Sequence, residues 1–217
     1  MITLIERGGI VMYPLIALSF LSVAVIVERL LFWIRADRRR DNTLVQRILK
    51  FVEEGGIDEA AAFGPASHDF IARTLLNGLR HRFYSLTLAL ETQAMIELKK
   101  MRRNLVILDT IITAAPLLGI LGTVIGIIAS FDVLGTTGIA EPQAVTGGIA
   151  QALITTAYGL SVALMSIFPY NYFNSKYEDA VEELEKYSST LEMLIEKNKK
   201  IAVEKTMSSK VHDRLEQ

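Results

Sequence analysis

LVILDTIITAAPLLGILGTVIGIIASFD, residues 105–132, decides how the chain is read. The run is apolar and long enough for a helix to cross a bilayer, which takes about 20 residues. On a helical wheel of about 100° per residue, Gly119, Gly122, Thr123, Gly126 and Ser130 share one narrow face, with Asp109 and Pro116 at its edge. Leu117, Leu121, Val124, Ile125 and Ile128 take the other side. A helix that met only lipid would have no reason to sort its residues this way. Small residues let a second backbone come close, and Gly122 and Gly126 stand at the Gly-x-x-x-Gly spacing that does so in membranes.

Composition agrees with a membrane protein. Of 217 residues, 51% are hydrophobic, and they concentrate in three blocks. The net charge of -1 predicts no nucleic-acid partner. The chain has no cysteine, which excludes disulfides, thiolate metal sites and cysteine nucleophiles. His68, His81 and His212 lie too far apart in sequence for metal-ligand spacing. No phosphate-binding glycine loop, HExxH or GxSxG occurs, so neither an enzyme nor a cofactor is expected.

Residues 1–34 hold a short amphipathic start, broken at Gly8 and Gly9, and a first span from Tyr13 to Ile34. Glu28 and Arg29 sit about one turn inside its distal end, where a pair can reach the headgroups and anchor the helix. Arg35, Arg38, Arg39 and Arg40 follow, and Lys99, Lys100, Arg102 and Arg103 precede the second span. Residues 133–144 contain no Lys or Arg. Cytoplasmic loops carry the excess of Lys and Arg. Residues 35–104 and 174–217 are therefore expected in the cytoplasm, and residues 133–144 and the N-terminus on the outer side. The basic clusters also suit contact with anionic membrane lipids.

The 35–104 segment reads as helical pieces over 44–53, 57–63 and 67–79, with Ser67 or Asp69 as a cap for the last. Ser85 caps a long helix: LTLALETQAMIELKKMRRNL (86–105) runs into the second span with no Gly or Pro between, so one helix is expected from about residue 86 to 132. The third span covers 145–173. Gly148, Ala152, Thr156, Gly159, Ala163 and Tyr170 share one of its faces. Thr123 and Thr156 thus take matching places on the small faces of neighbouring spans. Threonines in such helices often only bond their own i−4 carbonyl. Beyond Phe173, Tyr177, Ala180, Leu184, Tyr187, Leu191 and Leu194 alternate by three and four, a seam for packing on another helix or a neighbouring subunit. From about Glu204 the chain is polar and expected to fray.

Three blocks resemble the MotA/TolQ/ExbB proton-channel family, in its ExbB/TolQ-like branch: GGIVMYPLIALSFLSVAVIVERL (8–30), APLLGILGTVIGIIASF (115–131) and GGIAQALITTAYGLSVALMSIFPYNYF (147–173). The resemblance implies an all-α, three-span inner-membrane protein with its N-terminus in the periplasm, assembled as a homopentamer around a pore. It also implies an ExbD- or TolR-like dimer of single-span subunits in that pore, whose aspartate carries the ion, and a TonB- or TolA-like protein that receives the work. Carried over residue by residue, Thr123 and Thr156 match the threonines that flank the partner's aspartate, and Gly119, Gly122, Gly126, Ala152, Gly159 and Ala163 pack the pore face. Asp109 is read either as an exit relay or as a hydrated structural acid. Gln151 stands where these proteins usually carry a glutamate, so an ionised role is absent there. The alternative to an ion-driven stator is a membrane scaffold that oligomerises through its small faces and conducts nothing.

Overall fold

The computed structural model describes residues 8–63, 68–137 and 142–215. The expectations placed on the first seven residues and on Ser67 lie outside these. Among the described residues all regular structure is helical. In chain order the helices are α1 (Met12–Arg38), α2 (Asn42–Glu53), α3 (Ile57–Ala62), α4 (Phe70–Arg80), α5 (Arg82–Arg102), α6 (Leu105–Thr137) and α7 (Pro142–Leu215). Each of α1, α6 and α7 holds a stretch long and apolar enough to cross a membrane. Pro116 and Pro169 sit inside α6 and α7 without ending them. The polar stretch after Glu204 does not end α7 as expected, because the helix continues to Leu215.

The chain divides into two compact units. The first comprises Met1–Phe32 and Arg102–Ser175. Its core is Val11, Leu15, Ile111, Ala115 and Val162, with Leu18, Ile107, Leu118 and Tyr158 packed around it. The three spans thus share one apolar centre. Ser22 of α1 and Ser166 of α7, both buried in this unit, meet hydroxyl to hydroxyl at 2.6 Å. Buried hydroxyls stay only where they find partners, and the Ser166 hydroxyl is also within bonding distance of the Val162 carbonyl, at 2.8 Å.

The second unit comprises Trp33–Met101 and Lys176–Gln217. Here the apolar residues recur at helical spacing. Val45, Ile48, Leu49 and Val52 of α2, Ile71, Leu75 and Leu79 of α4, Leu90 of α5, and Ala180, Leu184, Leu191 and Ile195 of α7 are all buried. The seam read in α7 therefore holds at Ala180, Leu184 and Leu191, and ends on Ile195 where Leu194 was expected. Asp69 caps α4, accepting from the Ile71 and Ala72 amides at 2.8 and 3.1 Å. Its other oxygen accepts from the Asp41 amide at 2.8 Å, next to the α2 cap that Asp41 itself makes with Leu44. Arg40 bridges this corner to α7, 3.5 Å from Asp69 and hydrogen-bonded to Glu183. Burial opposes the Arg40 charge. The bond and charge of Glu183, with Asp69 and Tyr187, outweigh it and raise the guanidinium above the usual arginine range. Glu97 of α5 is also buried, and it accepts from Arg73, Lys100 and Gln93 at 2.9–3.0 Å.

One expectation fails at the α5–α6 junction. The continuous helix predicted over 86–132 breaks at Asn104, whose φ is +64°. Asn is one of the few residues with a side chain that visits the left-handed region readily, and it often ends helices in that role. Its amide donates to Glu28 at 3.1 Å. Ser85 does cap: its backbone is extended (φ −164°, ψ 108°), and its hydroxyl accepts from the Leu88 amide at 3.3 Å.

Candidate functional site

The small faces of α6 and α7 lie against each other, backbone to backbone. A Cβ on Gly159 would stand 2.5 Å from the Ala115 carbonyl oxygen, and one on Gly119 would stand 3.0 Å from the Thr156 Cα. A Cβ on Gly126 would stand 2.9 Å from the Gly148 carbonyl oxygen and 3.0 Å from the Ala152 Cβ. Real Cβ atoms essentially never approach as closely as the Gly159 and Gly126 values and seldom as closely as the Gly119 one, so glycine at these positions lets the two backbones meet. Ala163 is buried further along the same helix.

Within this contact the hydroxyls of Thr123 and Thr156 touch. Thr156 donates across the interface to the Gly119 carbonyl at 2.9 Å. Thr123 lies 3.2 Å from the same carbonyl, in its own helix, and 3.3 Å from the Ala152 carbonyl of α7. Each hydroxyl has one proton and two lone pairs, so two protons serve two carbonyls and each other's oxygen. The arrangement is redundant. A proton can move from one acceptor to another by rotation about a C–O bond, without moving a helix. Both side chains are half-buried, so the pair reaches the surface of the unit. The pair cannot titrate near neutral pH. It can hold a water, orient a carboxylate, or offer oxygen lone pairs to a cation.

Thr155 was missing from the expected site. It is fully buried, its hydroxyl donates to the Ala152 carbonyl at 2.8 Å, and its side chain fills the space beside Gly122. The signal was the adjacent Thr155–Thr156 pair, in which one wheel step turns the first hydroxyl into the helix contact and the second toward its rim. Ser22 likewise lies outside the expected site, since nothing in α1 alone marks it from its neighbours.

The remaining expected residues lie apart from the threonine pair. Asp109 is exposed near the start of α6, fourteen residues before Thr123, which is about 21 Å of helical rise. Its backbone carbonyl accepts from the Thr113 hydroxyl at 3.2 Å. Gln151 packs its amide on Gly9, a contact between α7 and the turn that precedes α1. Gly9 has φ +68°, a conformation that favours glycine, and a Cβ there would displace the Gln151 amide from this contact. Glu28 and Arg29 pair at 2.6 Å, with Arg29 buried and stacked 4.6 Å from the Phe32 ring, and Glu28 half-exposed. Among the described residues no three His, Asp or Glu side chains gather where a metal could bind.

The profile of the MotA/TolQ/ExbB proton channel family matches residues 66–186. Over 177 residues the chain is 38% identical to a biopolymer transport protein, ExbB-like 3, of Synechocystis sp., covering 78% of this chain and 83% of that protein. A second Synechocystis protein, ExbB-like 1, is 36% identical over 194 residues, 87% of this chain and 76% of that protein. An ExbB homolog of Methanothermobacter thermautotrophicus is 31% identical over 184 residues, 83% of this chain and 65% of its own length.

Proposed function

The chain belongs to the MotA/TolQ/ExbB proton channel family, in its ExbB/TolQ-like branch, and from that premise we propose how it conducts. It is the stator subunit of an inner-membrane motor driven by the proton-motive force. Its copies, five in the reading taken from the family, surround a pore. The pore holds a dimer of ExbD- or TolR-like single-span subunits that work on a TonB- or TolA-like protein in the periplasm.

The observation that carries this reading is the Thr123–Thr156 pair, with its shared carbonyls, on a close-packed α6–α7 face. The apolar stretches themselves supply no acid or base at this level. From Thr110 to Phe131 in α6 and from Pro142 to Ser175 in α7 there is no Asp, Glu, Lys or Arg. The titrating carboxylate therefore comes from the partner, and the threonines receive it. One charge moved through 100 mV releases about 2.3 kcal/mol, enough to bias the partner's position at each crossing. Asp109, exposed near the start of α6, is the acid next to which the ion leaves on the cytoplasmic side. The basic clusters at 35–40 and 99–103 set that side, and the N-terminus faces the periplasm.

The test is ion flux in proteoliposomes that hold the protein with its co-purified single-span partner, under an imposed potential. Thr123→Val and Thr156→Val, which keep shape and lose the hydroxyl, are expected to reduce flux at least tenfold with the complex intact. Thr156→Ser is expected to retain most of it. Asp109→Asn is expected to slow proton flux several-fold without changing partner binding. Unchanged flux in both valine variants removes the threonines from the path. An intact wild-type complex that conducts nothing, with its periplasmic target present, is the outcome that favours the scaffold. That reading has one observation behind it, since both hydroxyls already satisfy backbone carbonyls.

A further inference from the structure

Within the second unit, α5 and α7 leave a groove of about 400 Å³ between them. Its floor is apolar, from Leu90, Ala94, Leu98, Val181 and Leu184, and its walls carry Glu91, Glu185 and Glu192. Glu192 accepts from the Thr87 hydroxyl across the groove. Glu91 and Glu185 make no ion pair among the described residues. Met95, which also lines the groove, is 71% exposed and Leu88 is 62% exposed, so apolar surface on α5 is left uncovered.

The same unit has a surface of opposite character. On α2, Asn42, Thr43, Gln46, Arg47 and Lys50 line a shallow, open depression that contains no acid. Arg47 makes no ion pair among the described residues, and Lys50 reaches only Glu54 of its own helix, at 3.8 Å, with both ends exposed. An exposed pair of this kind contributes little. The dimensions match as well. The groove runs from Thr87 to Leu98 and from Val181 to Glu192, about 16 Å of helical rise along each wall, and α2 is 12 residues long, about 18 Å.

We propose that the acidic groove between α5 and α7 takes the basic face of α2 from a second copy of this chain. The inference rests on the homo-oligomer of the preceding reading and names the surfaces that join its subunits. Because the two surfaces differ, the contact is heterologous. Each copy offers its groove to one neighbour and its α2 to the other, the arrangement that closes into a ring. The carboxylates steer the α2 face into place, and the apolar floor covers its aliphatic stems.

The absence of cysteine makes the test clean. The full-length protein is solubilised, its particle mass measured, and a chain carrying both Gln46→Cys and Ser189→Cys cross-linked with a short bis-maleimide. A ladder of covalent multimers is expected from the double variant. Each single variant alone stays monomeric on a denaturing gel. Adding Arg47→Glu and Lys50→Glu is expected to cut the ladder at least fivefold, and further adding Glu91→Lys and Glu185→Lys restores it. An oligomeric particle that yields no ladder overturns the groove assignment and leaves the homo-oligomer standing, as it would if a basic segment of another protein filled the groove. Covalent dimers from a single-cysteine chain overturn it as well, because they require like surfaces to meet. A monomeric particle overturns both readings.

Discussion

Thr156 gives its proton to a carbonyl of another helix, which separates it from the ordinary transmembrane threonine that bonds its own preceding turn. Thr123 does both. That difference was not legible in the wheel, which gives faces and not partners. It depends on how near α7 comes to α6, and that distance is set by the glycines. Gly159 shows the sensitivity. Its missing Cβ leaves room for the Ala115 carbonyl, an atom that cannot swing aside. Gly159→Val is therefore expected to force the helices apart and destabilise the protein by about 1–3 kcal/mol, the usual range for overpacking. It should also reduce flux although it removes no polar group. A thermal unfolding series in detergent, beside the flux assay, checks both. Retained stability and full flux would mean that the helices do not pack this closely in the assembly. The pairing of Arg40, Asp69 and Glu183 was also invisible in sequence, because nothing local joins residues so far apart along the chain.

The spans were legible as elements because their signal is redundant. Many apolar residues in a row carry the same message, and no single substitution alters it. Boundaries rest on one residue each, and there the reading was weaker. Asn104 is the case in point. No Gly or Pro marks the α5–α6 break, so the run from 86 to 132 read as one helix, whereas the left-handed turn at an asparagine divides it. An L-residue with no special tolerance for this conformation costs about 1–2 kcal/mol there. Asn104→Ala is accordingly expected to be less stable than Asn104→Gly by about 1 kcal/mol. Both variants lose the bond to Glu28, so the difference between their unfolding midpoints isolates the backbone effect. Equal midpoints would mean that the break does not persist. Asp69 was legible as a cap for α4, but its second oxygen, which holds the Asp41 amide and thereby ties α2 to α4, was not.

On the scale of the whole molecule, the lysines and arginines predict an orientation, and the absence of cysteine lets it be measured. Single cysteines at Thr43 and Gly135 place a probe in the segments expected on opposite sides of the membrane. A membrane-impermeant maleimide added to spheroplasts is expected to label Gly135→Cys and to reach Thr43→Cys only after the membrane is opened. The reverse pattern would invert the topology, and with it the direction in which Asp109 could pass an ion. The two units owe their separate legibility to different chemistry. One reads as continuous apolar runs, the other as apolar residues at helical spacing among charges. The seam of the second unit has a bearing on how such chains can change length. Ala180, Leu184, Leu191 and Ile195 are borne on one uninterrupted helix. The angular offset between the two halves of the seam is therefore set by the number of residues between them. Inserting a single residue between Leu184 and Leu191 turns one half by about 100° against the other, whereas inserting seven restores the phase to within about 20°. Insertions and deletions in this part of the chain should be tolerated in sevens and rejected singly, a periodicity that a length-scanning library would expose directly.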